Sequence, residues 1–132
     1  MATEVLVNDG GAPARILPFT AGSAVTAGRL VTLDGDGKVD HSGVNAHNAI
    51  GVALTDAAAD GDIMSVVTGK GVILNVAVSG TMDEGKLLKV TANGVLVTGT
   101  DATLALSGTS YAVCLATGTG TGVRMVKCLM RN

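Results

Sequence analysis

The chain has 132 residues, a net charge of −2, 15% charged and 47% hydrophobic residues, one Tyr, one Phe and no Trp. Such a balance offers no basic stripe to neutralise phosphates and too few rings to stack bases, so a nucleic-acid-binding surface is excluded. No run of about 18 apolar residues is present to cross a membrane as a helix, and one Tyr with one Phe cannot build the aromatic girdles of a membrane barrel; the apolar surplus is expected to be hidden in an assembly.

Residues 1–14 read as an extended arm. Thr3-Glu4-Val5-Leu6-Val7-Asn8 is strand-like and apolar on both faces at its centre, as a strand gripped between two partners would be. Asn8-Asp9-Gly10-Gly11 then supplies a hinge, and Pro13 restricts the chain just before the body of the protein. The opening MATEVLVNDGG has no cationic segment leading into an apolar core, so a secretory signal is not expected and synthesis in a reducing cytosol is.

From residue 15 the chain alternates short β-branched runs with glycine punctuation. The predicted strands are Arg15–Phe19, Arg29–Leu33, Lys38–Asp40, Ala49–Thr55 and Asp62–Thr68, then Val72–Val78, Lys86–Val90, Val95–Val97, Tyr111–Ala116 and Val123–Leu129. Pro18 cannot donate to a ladder and belongs at an edge or a bulge. Helix is confined to a turn or so, in Val44–Asn48 or Asp56–Ala59.

The two sets of strands resemble each other. TAGRLVTLDGDGKV aligns with DEGKLLKVTANGVL, placing Gly28 on Gly85, Leu30 on Leu87 and Gly37 on Gly94 at an offset of 57. IGVALTDAAADGDIM aligns with YAVCLATGTGTGVRM, placing Val52 on Val113 and Met64 on Met125 at an offset of 61, which sets Cys114 on Ala53 and Cys128 on Val67. The reading is two tandem copies, about 15–68 and 72–129, within one β domain spanning 15–132: an all-β, small barrel or β-clip-like fold with an internal pseudo-twofold and an N-terminal extended arm.

This duplication decides how LDGDGKV is read. Asp34-Gly35-Asp36-Gly37 suggests a calcium loop, but its counterpart Thr91-Ala92-Asn93-Gly94 has no carboxylate. A calcium loop starting at Asp34 also needs Gly at its sixth position and Glu at its twelfth, where Val39 and Asn45 stand. What the two copies share is tolerance of positive φ in a hairpin turn.

No other stretch gathers a chemical site. His41 and His47 flank a polar loop without a helical or hairpin ligand spacing. Gly118-Thr119-Gly120-Thr121-Gly122 lacks the Lys and helix that a phosphate cradle requires and leads into a strand. Asp83-Glu84 stands where the first copy has Thr26-Ala27, so it reads as a solvated turn. Cys114 and Cys128 lie in apolar strand runs without a CxxC and read as buried free thiols. No catalytic, cofactor-binding or metal-ligating set is expected, and the chain is not expected to be an enzyme.

Ala27–Val39 (AGRLVTLDGDGKV) and Ala49–Asp62 (AIGVALTDAAADGD), followed by a second half of the same type, resemble the head decoration, or capsid cement, proteins of tailed bacteriophages. The resemblance covers most of the chain from about residue 15. It implies a β-barrel or β-clip-like fold, a homotrimer bound to the major capsid protein where capsomers meet on the outer shell of the virion, synthesis in the host cytoplasm, and no catalytic residues. In such a role Thr3, Glu4, Val5, Leu6, Val7 and Asn8 are the candidate partner-binding residues, adding a strand to a capsid sheet edge; the alternative is a strand that completes the chain's own barrel or a sister subunit's. Two rival readings are a secreted or surface adhesion module, which calls for an export signal, and a small-ligand-binding barrel, which calls for a convergent polar pocket.

Overall fold

The structure is a computed structural model that describes residues 5–8, 15–44, 48–68, 71–99, 110–118 and 122–131. It is all-β, with β1 (Leu6–Asn8), β2 (Arg15–Thr20), β3 (Leu30–Leu33), β4 (Val39–His41), β5 (Gly51–Ala53), β6 (Ile63–Thr68), β7 (Ile73–Val78), β8 (Leu87–Val90), β9 (Leu96–Thr98), β10 (Ser110–Cys114) and β11 (Arg124–Met130). These strands fall where the β-branched runs lie. The expected helical turns do not form within the described parts of 44–48 and 56–59; among the described residues the single 3-10 turn is Ala92–Gly94, in the connection from β8 to β9.

Two sheets form, and their strand orders match: β2-β6-β5-β3-β4 in one and β7-β11-β10-β8-β9 in the other, with β1 added outside β7. A parallel pairing Val78↔Leu96 joins β7 to β9 and closes the second sheet into a five-stranded barrel. A parallel bridge Ala21↔Val39 does the same for the first. Pro18 lies in β2, at the end of its sheet order, where its missing donor costs no ladder bond on the open side.

Ladder partners recur at fixed offsets. Leu33↔Val39 in the β3–β4 hairpin becomes Val90↔Leu96 in β8–β9, both ends shifted by 57. Leu30↔Val52 becomes Leu87↔Val113, shifted by 57 and 61. The last strand departs from the sequence alignment by one position. Ala53↔Val66 becomes Cys114↔Cys128, so Cys128 stands on Val66 rather than Val67, an offset of 62. The bond from Leu54 N to Ser65 O recurs as Leu115 N to Lys127 O in the same frame. The connection into β11 is therefore one residue longer between paired positions than its partner, and Gly-rich sequence gives no apolar landmark to reveal the insertion.

Each barrel encloses its own core. The first packs Ala21, Val25, Val31, Val39, Met64 and Val66. The second packs Val78, Met82, Leu88, Leu96, Cys114 and Cys128, and it also takes in Leu30, Val52 and Val67 from the first barrel. Alternation along β3, β5 and β6 explains this: Val31, Ala53 and Val66 point inward, while their neighbours Leu30, Val52 and Val67 form an outward stripe across three adjacent strands. That stripe is wholly buried against the second barrel. At roughly 1.5–3 kcal/mol per buried side chain, it is a main source of cohesion between the barrels.

Two glycines let the barrels approach. At Gly28, a Cβ would overlap the Met125 side chain, with Met125 Sδ at 2.8 Å. At Gly94 it would strike the backbone of Leu30, whose nitrogen lies 2.9 Å away. Backbone hydrogen bonds seal both contacts: Ala77 N donates to Gly28 O at 2.8 Å, and Gly94 N donates to Ser42 O at 2.8 Å.

Candidate partner-binding surface

The arm's strand docks on its own chain. β1 pairs antiparallel with β7 through Leu6↔Leu74 and Asn8↔Ile73, and Asn75 N donates to Val5 O at 2.7 Å. Val5 is 5% exposed and belongs to the second core. The part of β7's edge not used by β9 is thus occupied by β1. Thr3, Glu4, Gly10, Gly11 and Pro13 lie outside the described residues; Leu6, Val7 and Asn8 are described by their backbone. Among the described residues, nothing pairs with β1's other edge.

The first LDGDG carboxylate is used in the turn. Asp34 Oδ1 accepts from Asp36 N at 2.9 Å, and Asp34 N donates to Lys38 O at 2.9 Å, closing a five-residue connection between Leu33 and Val39. Positive φ falls at Gly35 and Gly37 in the first copy, and at Asn93 and Gly94 in the second. The hairpins thus match in length and register but not in every dihedral. Lys38 Nζ bridges exposed to Asp60 at 2.8 Å, which raises its pKa. Among the described residues, no three of His, Cys, Asp and Glu gather to hold a metal.

His41 is not in a solvated loop. It ends β4, half-buried, and its Nε2 accepts from Thr26 N at 3.0 Å. Burial, and then the nearby Arg29 cation, hold its pKa below the usual value against the opposing pull of Asp40. His47 and Thr119–Thr121 lie outside the described residues. Cys114 and Cys128 are free, fully buried and directly opposite each other on β10 and β11. Burial, then Cys114, push the Cys128 thiol up to about 12.

What the surface does offer is apolar area on the first barrel. Ile63 is 78% exposed, and Leu33 49%, Leu17 39% and Ile16 50%. Beside them a shallow groove of about 270 Å³ is lined by Pro18, Phe19, Thr20, Gly37 and Ile63. Isolated exposed apolar residues are ordinary, but Ile63, the most exposed of them, also lines this groove and makes it the candidate contact. Sequence reasoning missed it because Leu17 and Leu74, or Leu33 and Val90, read alike in the two copies and differ only in what covers them.

No family model matches the chain, and no curated protein sequence does. Among solved structures, the chain is similar in fold to the head fiber gp8.5 N base of bacteriophage phi29, with a TM-score of 0.67 and 20% identity over 89% of this chain and 94% of that one. The all-β small-barrel fold expected from the sequence is the fold observed.

Proposed function

We propose that the chain is a structural protein of a bacteriophage head, bound as a homotrimer to the outer capsid surface at capsomer junctions, where it stabilises the expanded shell. The observation that carries this reading is the likeness in fold to a phage head fiber base along nearly the whole of both chains. The exposed apolar set on the first barrel and the open outer edge of β1 support a binding role.

An oligomer with several weak capsid contacts gains from effective concentration, with avidity about 10²–10⁴ above a single contact. A chain that binds only the expanded shell stabilises that state by mass action. The contact assigned to the arm Thr3–Asn8 is β-augmentation: its described strand β1, held on β7 by one edge, offers the other to a strand of the major capsid protein. Synthesis in the host cytoplasm and residence on the virion follow from this role.

The test is cosedimentation with purified expanded heads that lack this chain, alongside shell melting. Co-pelleting and a raised melting temperature are expected; a protein left in the supernatant overturns the reading. Deleting Ala2–Asn8 is expected to abolish head binding, with the loss of Val5 lowering stability. Normal head binding by the truncated chain removes the arm from the capsid contact.

A further inference from the structure

The contact between the two barrels is head-to-tail. The first barrel contributes one face, made by Gly28, Leu30, Val52 and Val67; the second contributes a different face, made by Asn75, Ala77, Gly94 and Met125. Since the two barrels share one fold and one register, each also possesses the face that the other uses. Among the described residues, those two remaining faces are less buried than their counterparts.

On the first barrel, the offsets carry the receiving face of the second onto Pro18, Thr20, Gly37 and Ile63. Every one of these is less covered than its counterpart. Thr20 is partly exposed where Ala77 is 2%, and Ile63 is 78% exposed where Met125 is partly buried. A Cβ on Gly37 meets nothing within 4 Å, whereas one on Gly94 strikes Leu30. The groove lined by Pro18, Thr20, Gly37 and Ile63 occupies the same place as the surface that receives Gly28 and Leu30 on the second barrel.

On the second barrel, the inserting face maps to Gly85, Leu87, Val113 and Leu129. Val113 pairs with Leu87 on one side and Leu129 on the other, so the stripe is continuous across β8, β10 and β11. All three side chains are only partly buried, while Leu30, Val52 and Val67 are wholly so. Gly85, unlike Gly28, has open space at its Cβ position. The backbone that presents the face is the same: Gly99 N donates to Leu87 O at 3.1 Å as Ser42 N donates to Leu30 O at 2.9 Å.

We propose that the Gly85–Leu87 stripe of one chain docks into the Pro18–Ile63 groove of a second copy, repeating between chains the contact that joins the barrels within a chain. The occupant is a second copy because this chain already carries the complementary surface and uses it once. Thr20 N facing Gly85 O, and Gly37 N facing Gly99 O, are the counterparts of the two backbone bonds inside the chain. A head-to-tail contact closes into a ring or runs on as a filament, according to the rotation it imposes. A trimer closed this way is a ring of six barrels in which contacts within and between chains alternate. The inference deepens the oligomer of the proposed function without depending on the phage assignment.

Two measurements test it on the full-length chain. The first joins Ile63→Cys and Lys86→Cys in one chain under a short bismaleimide. Covalent multimers running up to the ring size are expected, with neither single variant forming more than a dimer. The second is sedimentation of Ile63→Arg, which the isolated chain tolerates because Ile63 is 78% exposed. With circular dichroism unchanged, self-association is expected to weaken by about 10- to 100-fold, the loss of one buried Ile. A wild-type protein that sediments as a monomer at high micromolar concentration, double-cysteine chains that do not cross-link beyond the single-variant controls, or an Ile63→Arg chain that assembles like wild type overturns the docking. Head binding by a monomeric wild type sinks this contact and leaves the phage-head reading standing; a ring that ignores heads does the reverse.

Discussion

Gly94 and Gly37 occupy matching places in their hairpins, both with positive φ, 72° and 79°. Changing either to Ala imposes the same left-handed penalty, about 1–2 kcal/mol. Only at Gly94 does the new methyl also meet a neighbour, the Leu30 backbone with Arg29 Cβ at 3.2 Å. Backbone cannot step aside as a flexible side chain can, so the barrels must shift apart and loosen Leu30, Val52 and Val67. Overpacking of this kind costs about 1–3 kcal/mol. Gly94→Ala is thus expected to lose about 2–5 kcal/mol in total and Gly37→Ala about 1–2. Both are measured by urea unfolding in the Ile63→Arg background, so that docking between chains does not enter. With m near 1–3 kcal/mol/M, the Gly94→Ala midpoint should fall about 1 M below that of Gly37→Ala. Equal midpoints would refute the close approach of the barrels at Gly94.

Three further outcomes are expected. The Cys128 thiol, raised from 9.0 to about 12 by burial, keeps its proton longer folded than unfolded; stability is therefore full below about pH 9 and falls as pH rises towards 12, by up to about 1.4 kcal/mol per pH unit, and a shallower slope in Cys128→Ala, read by urea midpoints, checks it. His41 has a pKa below 6.5 and accepts a bond from Thr26 N, so stability is full above pH 6.5 and declines as pH drops below it; His41→Gln should flatten that decline, and an unchanged acid limb contradicts the assignment. Because Asp34 is engaged with the Asp36 backbone, EDTA and millimolar calcium should leave the melting temperature the same, and a shift of several degrees returns Asp34 and Asp36 to metal chemistry.

The strands were legible because their pattern is local: β-branched runs broken by glycine place all ten strands of the two barrels within a few residues. The duplication was legible at Gly28/Gly85 and Gly37/Gly94, and the same offset governs the ladder partners of both hairpins. What local pattern cannot carry is which surface covers which. Leu30 and Leu87 are the same residue in the same register, one wholly buried and one not. The slip at Cys128 arose because a one-residue insertion in a Gly/Thr loop shifts nothing apolar. His41 read as a loop residue because its partner, Thr26 N, lies 15 positions away. For the arm, Val5-Leu6-Val7 signalled a strand covered on both sides, but the sequence named no partner; the structure places its own β7 on one edge.

One sequence difference between the copies did hold structural information. Where Asn75 offers the N–H that binds Val5, the first barrel has Pro18, its counterpart at an offset of 57, which has no N–H to give. A chain built from two look-alike halves risks pairing a segment with the wrong half while it folds. At the first barrel the leading strand finds a decoy with a missing rung, and at the second a complete one. Pro18 thereby leaves the outer edge of β2 without the donor that β7 gives to the leading strand.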